Sequence, residues 1–117
     1  MRMPFRVLLP AALALILVGA AVGEARAAQT IVGLWRQPGG ACKVTRGAMS
    51  IGPMHMGGDE WRCDFRDVAR KGDVVTWKGE CGFPEPFERA TVKASLVGQS
   101  LEVRINGGEA STWERCR

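Results

Sequence analysis

The chain has 117 residues, 16 basic and 12 acidic side chains, and a formal net charge of +4. That length leaves room for one domain and not two, and one histidine with no tyrosine leaves little for acid–base or nucleophilic chemistry. No catalytic residue stands out, and an enzyme is not expected.

Residues 1–27 carry two arginines, then an apolar run from Val7 to Val22, then Ala25-Arg26-Ala27, the pattern of an export signal with a small-residue cleavage site. The run approaches the roughly 17 to 20 residues that span a bilayer, but Pro10 inside it and the missing basic stop favour cleavage over a retained anchor. No stable membrane insertion is expected afterwards. Cleavage after Ala27 leaves 90 residues as one domain, 28–117, and takes Arg2, Arg6, Arg26 and Glu24 with it, so the net charge falls from +4 to +2. The remaining charges interleave by sign from Arg46 to Glu80, as on an ordinary solvated surface; no nucleic-acid partner is expected.

A core of 90 residues is marginal, and exported domains of this size are commonly braced by disulfides. All four cysteines, Cys42, Cys63, Cys81 and Cys116, lie in the mature part. Two bridges are expected, in a periplasmic or secreted monomer without cofactor.

Thr30 to Trp35 suits a first strand, Gln37 to Gly40 a turn, and Ala41 to Arg46 a returning second strand with Cys42 and Val44 on one face. Met49 to Gly58, with three methionines, three glycines and a proline, is expected to be the longest irregular stretch; any strand at Met49 to Ile51 must stop at Gly52-Pro53. Trp61, Cys63 and Phe65 then alternate with charged residues, and Val75, Trp77, Gly79 and Cys81 repeat the alternation beyond a turn at Lys71-Gly72. With Gly72 as the centre, Cys63 and Cys81 lie nine residues to either side, Phe65 faces Gly79, and Ala69 faces Val75.

Gly82 to Phe87 contains two prolines and reads as a crossing loop. Arg89 to Val97, with Val92, Ala94 and Leu96 inward, and Leu101 to Ile105 are strands joined by a tight turn at Gly98-Gln99. Asn106-Gly107-Gly108 turns the chain into a last strand, Ala110 to Arg115. The fold class is all-β: a small antiparallel barrel or sandwich of about seven to eight strands with two disulfides.

Four cysteines allow three connectivities. Cys63–Cys81 with Cys42–Cys116 is favoured; Cys42–Cys63 with Cys81–Cys116 competes, because Gly52-Pro53 also lies midway between its first pair. Trp35, Trp61 and Trp77 are expected in the core, where each indole buries a large area beside a bridge. Trp113 is placed there too.

Two stretches suggest binding. Met54-His55-Met56 combines thioethers with an imidazole, a donor set suited to a soft ion such as Cu(I), although a strand there would put the methionines on one face and His55 on the other. The loops Gly52 to Gly58 and Gly82 to Phe87 offer Met54, Met56, Phe83 and Phe87 with little charge, the residue types of interface cores. The expected role is therefore non-covalent binding of another protein or envelope component, with inhibition of an exported hydrolase as one form. Copper handling and a structural envelope role are the alternatives.

Gly33-Leu34-Trp35, followed by Cys42, resembles the G-x-W opening of calycin-like barrels and is similar to the start of the small periplasmic inhibitors of secreted metalloproteases. The resemblance covers Ile31 to Val44. It implies a compact antiparallel barrel with Trp35 plugging one end. Those inhibitors have one disulfide and an N-terminal trunk that enters the protease; here there are four cysteines, and three residues, Ala28 to Thr30, separate the expected cleavage site from Ile31.

Overall fold

The computed structural model describes residues 31–117. The expected leader, 1–27, lies outside the described residues. Eight strands follow in order: β1 (Gly33–Arg36), β2 (Met49–Ile51), β3 (His55–Gly58), β4 (Trp61–Lys71), β5 (Val74–Gly82), β6 (Glu88–Val97), β7 (Ser100–Ile105) and β8 (Ser111–Arg115). Each pairs antiparallel with its neighbours in sequence, and β8 returns to β1, so the sheet closes into a barrel and is not a sandwich. Closure removes free sheet edges wherever the pairing is complete.

Alternation along the strands sends Trp35, Met49, Ile51, Met56, Cys63, Trp77, Val92 and Leu101 inward, each at most 2% exposed. No polar or charged residue is buried among the described residues. Two indoles anchor irregular segments to this core: the Trp35 N–H donates to the Ile31 carbonyl and the Trp77 N–H to the Pro53 carbonyl, both at 2.9 Å.

The long hairpin β4–β5 contains the decisive irregularity. Its turn is the two-residue link Gly72-Asp73, with Lys71 opposite Val74 and Arg70 opposite Val75. An unbroken ladder from that turn would face odd-numbered residues with even-numbered ones, setting Cys63 opposite Gly82. A β-bulge between Phe65 and Asp67 adds one residue to β4, and beyond it Phe65 faces Gly79 and Cys63 faces Cys81. The expected pairing of Ala69 with Val75 is therefore replaced by Ala69 with Thr76, while the cysteine register holds.

The disulfides are Cys42–Cys116 and Cys63–Cys81, the favoured connectivity, and no described cysteine is free. The first corrects the expected strand at Ala41 to Arg46. Cys116 lies on the β1–β8 seam, where its N–H donates to the Leu34 carbonyl, so its partner Cys42 must run outside the barrel wall. The segment folds into a short 3-10 turn, Val44–Arg46, with the Lys43 carbonyl accepting from the Arg46 and Ala48 N–H groups. Trp35 takes Met49 on β2 as its partner instead. The bridge overrides the period-2 pattern.

Two further expectations change. Met49 to Gly58 is not irregular: β2 and β3 occupy most of it, pairing Ile51 with Met56 and Ser50 with Gly57 across a turn closed by the Gly52 N–H and the His55 carbonyl. Nor does Gly82 to Phe87 cross the fold, because β5 and β6 are neighbours, with Cys81 facing Glu88. The prolines occupy a hairpin link, where no ladder donor is needed. Among the described residues, no helix is long and apolar enough to cross a membrane.

Candidate functional site

In a barrel whose strands alternate up and down, the links β1–β2, β3–β4, β5–β6 and β7–β8 emerge at one end, and β2–β3, β4–β5 and β6–β7 at the other. The two segments expected to share a binding surface are thereby parted. Met54, half-buried in the β2–β3 turn, sits at the end opposite Phe83 and Phe87. Met56 is 1% exposed inside the barrel and presents no surface to a partner.

The same alternation separates the soft-metal donors. Met56 points into the core, while His55 is exposed and its ring lies against the backbone of Gly52, where an added Cβ would overlap it. No group of three histidine, cysteine or acidic side chains converges among the described residues.

At the other end, register builds an aromatic corner. Arg62 on β4 faces Gly82 on β5, so the next pair outward brings Trp61 beside Phe83. Their rings stack at 5.5 Å with an interplanar angle of 19°. Gly82 is needed beneath them: a Cβ there would collide with the Pro84 carbonyl and come within 2.8 Å of the Phe87 ring. The link folds back over this glycine and leaves Phe87 under the Arg62 guanidinium, 5.0 Å from the ring centre. Phe83 is 55% exposed, the most exposed of the large apolar side chains described.

Trp61, half-buried, stands between two concavities. On the inner side lies the barrel mouth, about 290 Å³, with Met49, Trp61, Phe83, Val103, Ile105 and Trp113 as its apolar walls and Gln37, Asp59 and Ser111 at its edge. Trp113 is fixed there by its N–H bond to the Ser111 hydroxyl, 2.9 Å, which donates in turn to the Val103 carbonyl. On the outer side a groove of about 470 Å³ runs between the β3–β4 turn and Pro84. The mouth can hold an apolar side chain. The lone histidine, His55, lies at the far end of the barrel.

Of the residues expected to act, Trp35 and Trp77 are buried in the interior, and the four cysteines form the braces. Trp61, expected wholly in the core, packs against it from the rim. Phe83 and Phe87 do lie together at one end. Glu60, Arg62, Ile105 and Trp113 were not singled out as site residues from the sequence, where Glu60 and Arg62 read as ordinary surface charges, Ile105 as part of a strand and Trp113 as core. The chain matches none of the protein-family models, curated proteins or solved structures with which it was compared.

Proposed function

We propose that this chain is an exported, monomeric, non-catalytic binding protein that seats a side chain of another protein in the mouth between Trp61, Phe83 and Trp113. The observation that carries this reading is the exposed Phe83, stacked on Trp61 at the edge of an apolar cavity. Exposed aromatics around a concave apolar centre are the usual anchors of protein interfaces, and two disulfides keep such an anchor preorganised. Occlusion of an exported hydrolase by this end of the barrel is one form the activity takes. The test is affinity capture from envelope and culture-medium extracts with the oxidised protein and with Phe83→Ser. The wild type is expected to retain a partner that the variant loses while its circular dichroism is unchanged; equal capture by both would refute the proposal.

A further inference from the structure

The outer groove differs from the mouth in its charge. Its walls are Trp61, Pro84 and Phe87, with Glu60, Arg62 and Glu85 between them. The Arg62 charge is already committed, with Nε 3.0 Å from an Asp64 carboxylate oxygen and the guanidinium over Phe87. Glu60 and Glu85 form no ion pair among the described residues. An aromatic wall beside two uncompensated carboxylates attracts a cation and repels an anion.

Trp61 adds a second, independent feature. The other three indole N–H groups each have an acceptor at 2.9 Å: the carbonyls of Ile31 and Pro53 and the hydroxyl of Ser111. The Trp61 N–H has no protein acceptor among the described residues and is not sealed from solvent, so it is free to donate to a ligand in the groove. A bound polypeptide offers it a backbone carbonyl in place of water. A nucleic acid would instead bring phosphates against Glu60 and Glu85.

We infer that the groove binds an arginine or lysine side chain carried on an extended segment of the partner protein. The inference rests on the protein-binding reading and adds the partner's chemistry: a basic residue for the groove next to an apolar one for the mouth, with Trp61 as the shared wall.

The experiment follows the four indole N–H resonances of the oxidised, 15N-labelled protein during titration with an acetylated, amidated glycine–arginine–glycine peptide and with its neutral citrulline counterpart. The arginine peptide is expected to move one resonance, the one missing from Trp61→Phe, and to lose affinity as salt is raised. The citrulline peptide, and the arginine peptide on a protein carrying Glu60→Gln and Glu85→Gln, should bind about fivefold more weakly. No movement up to about 10 mM peptide, an affinity near the floor of specific recognition, would overturn the inference. So would equal binding of the citrulline peptide, or a shift given by a neutral oligosaccharide and not by the arginine peptide. Both glutamates are exposed, so these variants should keep the fold. If partner capture is lost with Phe83→Ser but untouched by the two glutamine substitutions, the mouth stands and the cation site falls; capture that survives Phe83→Ser removes the protein-binding reading itself.

Discussion

At the scale of single residues, Gly79 is the least replaceable position outside the disulfides. A Cβ built on it would overlap the Asp64 carbonyl oxygen and come within 2.6 Å of the Phe65 Cα, both of them backbone. The contact sits where β4 bulges toward β5, next to the Phe65–Trp77 stack at 5.1 Å. Gly79→Ala should therefore cost about 2 to 4 kcal/mol, because backbone can yield only by displacing the core. Urea unfolding measures it, and a loss below about 0.5 kcal/mol would show that the hairpin accommodates the methyl group. Glu60 presents the opposite case. It has φ 67 in the turn Asp59-Glu60, a conformation that suits glycine. Glu60→Gly should raise stability by about 0.5 to 1 kcal/mol while weakening binding of the arginine peptide, so stability and function separate at one side chain. A melting temperature that fell would contradict the first half.

At the scale of elements, the bulge in β4 decides which face the strand shows. Trp61, Cys63 and Phe65 are odd-numbered and inward, yet Val68 and Arg70 are the residues turned toward the interior beyond it. One inserted residue reconciles the two halves. Deleting Arg66 should remove the bulge and leave a continuous ladder in which Phe65 still faces Gly79 and Cys63 still faces Cys81, so that Trp61, Cys63 and Phe65 stay inward and the bridge still forms. Disulfide mapping of the oxidised product should show the native Cys63–Cys81 bridge; two free or mispaired thiols would sink the argument. Arg66→Ala is the control. Its ion pair with Glu80, at 3.5 Å, is largely exposed and contributes little.

At the scale of the whole molecule, the barrel is closed unevenly. The β4–β5 ladder has nine paired positions, whereas β1 meets β8 at only two, Trp35 with Arg115 and Arg36 with Glu114. The seam is reinforced by the ion pair Arg36–Glu114 at 3.3 Å and by Arg115 stacked 4.3 Å over Trp35, but mainly by Cys42–Cys116. That bridge spans 74 residues against 18 for Cys63–Cys81. In the chain-entropy account the two restrict the unfolded chain by about 4.4 and about 3.2 kcal/mol. Replacing Cys42 and Cys116 by serine should thus destabilise more than replacing Cys63 and Cys81, in paired urea-unfolding curves. The reverse order would mean that the hairpin, and not the seam, holds the barrel shut. Full reduction removes a stabilisation comparable to that of a small domain and should leave the protein largely unfolded.

Much of this architecture was legible in the chain itself. The alternation over 61–66 and 75–81 and the turn residues at Gly72, Gly98 and Asn106 indicated an all-β fold and its central hairpin, and the spacing of Cys63 and Cys81 favoured their bridge over its competitor, because side-chain period and turn chemistry are local properties. Three things needed the folded molecule. The bulge at Arg66 satisfies two faces at once, and neither half of β4 signals it alone. The outward path of Ala41 to Arg46 follows from where Cys116 ends up, 74 residues away. The meeting of Trp61 with Phe83, and the parting of both from Met54, depend on register and on which end of the barrel each link occupies, and only closure of the sheet fixes those.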